Sequence, residues 1–161
     1  MIYSGVGSRK TPREILEIMF FIAERMAVRG HLLRSGGAPG ADSAFESGCD
    51  SASGAKEIFY ARHATPESME LAGSLHPAWH RCGIYARKLH GRNSFQILGA
   101  DLQSPSSGVI CWTPDGCLCH ESRSIRTGGT GTAISIASSH GIPVWNLARP
   151  DHLAKWREWL N

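Results

Sequence analysis

Short apolar runs alternate with helix-period stretches along most of this chain. Ile2 to Val6 reads as a strand ending in glycine, and Thr11-Pro12 then opens a helix, with Thr11 as cap and Pro12 at the first helical position. Ile15, Ile18, Met19, Ile22 and Met26 recur there at the 3.6-residue period, and Gly30 ends the helix. His31 to Arg34 gives a second strand, followed by a glycine turn and a helix carrying Ala41, Ala44, Phe45 and Gly48; Glu57 to Ala61 gives a third strand. Residues 62–83 read as a loop with a short helix near Pro66 to Ser74. Ile84 to Leu102 predicts a helix with a break at Gly91, and Gly108 to Trp112 a strand of the buried type. After a polar excursion from Thr113 to Thr127, a helix runs from beyond Thr132 to His140 with Gly141 as cap, and Ile142 to Leu147 returns as a fifth strand. Pro150 to Leu160 closes the chain as a helix with Leu153, Trp156 and Leu160 on one face. The alternation predicts an α/β fold: a Rossmann-like, doubly wound, mostly parallel sheet of about five or more strands with helices on both faces.

At 161 residues the chain suits a single domain, 1–161, with the 113–127 excursion as a lid-like segment. The net charge of +3 comes from scattered Lys and Arg and fits a phosphate-lined cleft without marking a nucleic-acid footprint. No stretch approaches the roughly 20 apolar residues of a membrane helix, and Met1 leads directly into a strand, so a cytoplasmic location is expected. The five cysteines are odd in number and lie in a glycine-rich α/β pattern, which predicts reduced thiols.

Candidate chemistry concentrates in three glycine turns, each where a strand hands over to a helix. They are Gly5-Val6-Gly7-Ser8-Arg9, Ser35-Gly36-Gly37-Ala38-Pro39-Gly40-Ala41-Asp42 and Gly128-Gly129-Thr130-Gly131-Thr132. Glycine lets backbone N–H groups approach a ligand, and the following helix aims its free N–H groups and positive dipole end at the same point, which suits a phosphate. In the first turn, Ser8 and Arg9 add a hydroxyl and a guanidinium to the backbone donors of Gly5 and Gly7. Asp42, in the first turn of its helix, either caps that helix or contacts a ribose or base. The third turn is the strongest anion site, with several N–H donors and the hydroxyls of Thr130 and Thr132.

Arg92-Asn93 either forms an exposed helix face or projects into the cleft as a phosphate clamp and an amide. Trp112, at the carboxyl end of a strand, is the tryptophan placed where ligands sit in open α/β sheets. Cys117-Leu118-Cys119-His120, completed by His76, His80 or Cys82, lacks Cys-x-x-Cys spacing, so neither a metal nor a cofactor is expected.

In order and spacing these motifs resemble the superfamily that joins the DNA-processing protein DprA (also called Smf) with the LOG-type phosphoribohydrolases. The residues that carry the likeness are Gly7-Ser8-Arg9, Ser35 to Asp42, Gly91-Arg92-Asn93, Gly128 to Thr132 and Gly141-Ile142-Pro143-Val144. The closest likeness is to small, stand-alone DprA-like members of bacteria and their phages. The LOG-type enzymes cleave the N-glycosidic bond of nucleoside 5′-monophosphates with an arginine from the central helix and a glutamate after their glycine-threonine motif. Arg92 takes the arginine position, but Thr127 stands in place of the motif's proline and Ser135 in place of the glutamate. Oxocarbenium-type chemistry favours a carboxylate, so Asp42, Asp115 or Glu121 would have to replace it. The resemblance implies a nucleotide-binding protein, with Arg92 and Asp42 as the candidate catalytic pair if it is an N-glycosidase. It also implies two alternatives: a non-catalytic single-stranded DNA binder, or a nucleotide sensor or sequestering protein in phage–host conflict. A homodimer or higher homo-oligomer is implied in each case.

Overall fold

The computed structural model describes residues 1–161 and places five strands in one parallel sheet: β1 (Ile2–Gly5), β2 (Leu32–Ser35), β3 (Lys56–Ile58), β4 (Val109–Cys111) and β5 (Val144–Asn146). Their order is β3-β2-β1-β4-β5, and every neighbouring pair is parallel. The helices are α1 (Arg13–Val28), α2 (Ala41–Ser51), α3 (Pro66–Leu75), α4 (Ile84–Leu98), α5 (Thr130–Ser139) and α6 (Pro150–Leu160). Successive side chains of a strand point to opposite faces, so each strand feeds two cores. Tyr3, Leu33 and Ile110 join Ile15, Met19, Ile22 and Phe45 on the face covered by α1, α2 and α6. Val109 and Cys111 join Ile97, Ile134 and Ile136 on the face covered by α3, α4 and α5. The doubly wound α/β architecture read from the sequence is therefore the observed one, and no helix is long and apolar enough to cross a membrane.

Local readings differ from the structure in three informative places. Thr11 does not cap α1: Pro12 holds that position, and the Thr11 hydroxyl instead donates to the Ser8 carbonyl at 2.6 Å, tightening the first glycine turn. Helix α4 runs unbroken through Gly91, because the glycine serves close packing: an added Cβ would meet Met69 and Ser68 of α3. Helix α5 begins at Thr130, so Gly131 and Thr132 belong to its first turn.

The tightest helix contact lies on the other face, where the glycine at position 48 of α2 abuts the backbone carbonyl of Phe20 in α1 and leaves no room for a side chain. Alanine would gain up to about 1 kcal/mol of helix propensity. The obstructing atom is backbone, however, so the helices must part. Gly48→Ala is expected to lower unfolding stability by about 2 kcal/mol, within the usual overpacking range, as read by urea denaturation. Ser47→Ala, on the exposed side of the same turn, should leave stability within about 0.5 kcal/mol.

Candidate functional site

The strand order reverses between β1 and β4, and the crevice beyond the carboxyl ends of such strands is where open α/β sheets hold ligands. A cleft of about 740 Å³ lies here, lined by Gly7, Ser8 and Arg9 of the first glycine turn and by Gly128, Gly129 and Thr130 of the third. The first turn is fastened by a continuation of the β1–β4 ladder: Val6 N–H donates to Ile110 O and Ser8 N–H to Trp112 O. Its Ser8 hydroxyl accepts the Lys10 N–H at 3.0 Å. By contrast, the N–H groups of Gly7, Arg9, Gly128, Gly129 and Thr130 have no acceptor within the chain. The amino-terminal end of α5 brings its positive dipole end to the same wall. Arg9, Lys10, Arg92 and Arg126 line the cleft against one carboxylate, Asp42.

Helix α4 ties the turns together. Arg92 Nη1 donates to Gly36 O and Asn93 Nδ2 to Gly129 O at 3.2 Å, while Arg92 Nε donates to Asn93 Oδ1 at 3.2 Å. The pair thus lies in the cleft wall, not on an exposed face, and part of the Arg92 guanidinium is committed to the second turn. Gly36 permits this approach, since an added Cβ would collide with the Arg92 guanidinium and Gln96. Gly40, at φ 92°, precedes α2 and sets the second turn against the Arg9 backbone. Gly36 and Gly37 line an adjoining groove of about 340 Å³ that shares Arg9 and Arg92 with the main cleft and extends it toward Tyr60 and Arg62.

Asp42 is 3% exposed, and its carboxylate accepts the Ala38 N–H at 3.3 Å, so it braces the second turn while lining the cleft. Burial pushes its pKa up to about 6, against the opposing pull of the Arg92 charge and of backbone N–H groups from Ala38 and Gly36.

Several residues predicted for ligand contact lie elsewhere. Gly5 sits under the Phe45 ring, and the Ser35 hydroxyl donates to Gly5 O. Trp112 packs against the core beneath α1 and α2. Gly131 abuts Arg123, and the Thr132 hydroxyl is held by His90 Nδ1 at 2.9 Å and Arg123 Nη2 at 3.2 Å. The cleft also recruits residues that sequence reasoning did not single out: Lys10, Tyr85, His90, Gln96, Ile125 and Arg126. Of these, Lys10 adjoins the first glycine turn and Ile125 and Arg126 belong to the lid-like 113–127 segment, whereas Tyr85, His90 and Gln96 gave no sequence signal.

Pro114, Ile125, Arg126 and Thr127 of the 113–127 excursion line the cleft, and the excursion is a hydrogen-bonded loop. Asp115 accepts the Ser124 and Thr127 hydroxyls and the Cys117 N–H, and Asn146 of β5 donates to Thr113 Oγ1 and Cys117 O. This delivers Ile125, Arg126 and Thr127 to the rim, with Ile125 99% exposed. Asp115 is spent on that loop, Glu121 lies outside the cleft, and buried Ser135 bonds His120 Nδ1 and Arg123. Comparison with protein-family models, curated proteins and solved structures finds no match.

The Asp42 environment carries a stability signature. Its folded pKa lies above the unfolded value of 3.8, so the folded state holds the proton more tightly and stability falls as pH rises between about 4 and 6. The full effect is about 3 kcal/mol. Asp42→Asn removes it: relative to wild type, the variant should gain about that much between pH 4 and pH 8 in urea unfolding curves. An unchanged difference across that range would contradict the assigned environment.

Proposed function

We propose that this protein binds a nucleoside phosphate or nucleotide-derived ligand, with the phosphate held between the first and third glycine turns. The observation that carries this reading is the set of backbone N–H groups at Gly7, Arg9, Gly128, Gly129 and Thr130, all on one cleft and all without an internal acceptor. Arg9, Gly128 and Gly129 are exposed, so water serves these donors in the absence of a ligand, and an anion at the helix amino terminus would replace it. Arg9, Lys10 and Arg126 supply the compensating charge, and the cleft volume falls in the usual range for small-ligand sites. Asp42, which lines the cleft, would accept hydrogen bonds from a sugar or base. The LOG-type resemblance agrees with this reading and raises N-glycosidase turnover as its catalytic form; the carboxylate for that chemistry is then Asp42, the acidic residue lining the cleft.

A second reading, a DprA-like single-stranded DNA binder, draws on the adjoining groove, where Arg62 stacks on Tyr60 at 4.5 Å beyond Arg9 and Arg92. A strand needs that longer basic, aromatic path, whereas a nucleotide needs only the main cleft.

Calorimetric titration with a panel of nucleoside monophosphates separates the two. The nucleotide reading expects saturable binding that Arg9→Ala weakens by about tenfold or more, the scale of one charge-assisted hydrogen bond. Arg92→Ala should abolish it by releasing Gly36 and the Asn93 brace. Free base produced by wild type but not by Asp42→Asn would assign turnover to Asp42, and retained nucleotide without free base would leave a sensor or sequestering role. Failure to bind any nucleotide, together with salt-sensitive binding to single-stranded oligonucleotides, would overturn the reading in favour of DNA.

A further inference from the structure

Beside the cleft, the segment from His76 to Gly83 folds back on α4 as a closed loop. Arg87 clasps it, donating from Nε to Cys82 O at 3.0 Å and from Nη2 to Trp79 O at 3.2 Å. The fold brings together three half-buried groups that nothing in the nucleotide reading uses. One nitrogen each of His76 and His90 and the Sγ of Cys82 lie within 4.8 Å of one another. His76 Nε2 is 3.9 Å from Cys82 Sγ. A tetrahedral zinc ion, with bonds of about 2.0–2.1 Å to nitrogen and about 2.3 Å to sulfur, sets such ligand atoms about 3.6 Å apart. The His76–Cys82 pair is within a few tenths of an ångström of that spacing, and side-chain rotation of up to roughly 1 Å brings the His90 nitrogen to it.

We propose that His76, Cys82 and His90 form a three-ligand site for a zinc-class divalent metal ion with a fourth coordination position open. Two imidazoles and one thiolate are the donor set of zinc and its first-row neighbours, and are unsuited to magnesium or calcium. Thr132 provides the orienting contact that metal-bound histidines require: with His90 Nδ1–H donating to its hydroxyl oxygen, Nε2 keeps its lone pair for the metal.

His76 needs a rearrangement. Without metal its Nδ1 accepts the Ala78 N–H at 3.0 Å, which places the proton of the neutral ring on Nε2. Coordination through Nε2 moves that proton to Nδ1 and frees the Ala78 N–H, while the Cys82 thiol gives its proton to solvent. One proton is released per metal bound.

Charge sets the chemistry of the open position. Arg123, which donates to Thr132 Oγ1 and to Leu75 O, adds a positive charge beside the two imidazoles. A single thiolate cannot neutralise a divalent ion there, so the fourth ligand is expected to be an anion such as hydroxide or a phosphate oxygen. His90 is shared with the wall of the main cleft, which puts the site at that cleft's edge. The metal proposal itself does not depend on what the cleft binds.

Cobalt(II) titration of the reduced, chelator-treated protein tests it. One cobalt per chain should bind, with thiolate-to-cobalt charge-transfer absorption and displacement by zinc. Cys82→Ser should lose the charge-transfer band while keeping its far-ultraviolet circular dichroism, and Cys119→Ser should retain the band. Thr132→Val should weaken binding by about tenfold, the scale of a lost orienting contact, with the band preserved. Absence of the band in wild type, or its persistence in Cys82→Ser, would overturn the proposal.

Discussion

The cleft depends on two adjacent residues of α4 that reach different loops. Glycines leave the backbone accessible, yet they carry no side chains of their own to anchor a turn and lose the most conformational freedom on ordering. Arg92 and Asn93 supply what the turns lack: one holds the Gly36 carbonyl, the other holds the Gly129 carbonyl, and their own side chains are linked through Nε and Oδ1. The bonds consume carbonyl oxygens and leave the N–H groups of Gly128, Gly129 and Thr130 unspent. In a recessed, low-dielectric setting such a chain of bonds is stronger than its members in water and penalises any arrangement that breaks one of them.

The same economy of side chains appears beneath the turns. The strands are only three or four residues long, so the sheet alone gives little lateral support. A polar seam reinforces it. The Ser4 hydroxyl donates to Gln96 O at the end of α4, and the buried Arg34 guanidinium reaches Glu57 at 2.7 Å and the Ser104 carbonyl. These contacts fix the 99–107 connection that feeds β4, and β4 with β1 forms the crevice. Breaking the Arg34–Glu57 pair from the exposed side would strand a buried guanidinium, a costlier event than loss of a surface ion pair.

Periodicity in the sequence carried the architecture because each helix buries one stripe and each strand alternates between two cores. It located α6 to the residue, where Pro150 starts the helix and Leu153, Trp156 and Leu160 pack against the core. It misread Gly91, since a glycine that admits a neighbouring helix and one that breaks its own helix look alike in one dimension. Composition likewise flagged the glycine turns without revealing where a helix begins inside one: Thr132 lies in the first turn of α5 and serves His90 and Arg123. Arg126, Tyr85 and Ile125 escaped notice for a different reason. They are isolated residues in or beside polar segments, and only the Asp115 and Asn146 contacts and the packing of α4 carry them to the rim.

The position of Asp42 bears on how a nucleotide would be handled. Ser135 does not line the cleft, and its hydroxyl bonds His120 and Arg123. The carboxylate available to a ligand between the glycine turns is therefore that of Asp42. Bracing Ala38 does not by itself require an ionisable group, since an amide oxygen accepts the same N–H without the cost of burying a charge. Retaining an acid whose pKa is pushed up to about 6 beside Arg92 gives the site a group that can both accept and release a proton near neutral pH. In a cleft whose other charged side chains are cations, that property would be better matched to a sugar or base carrying exchangeable protons than to a phosphate, for which the unpaired N–H groups would serve.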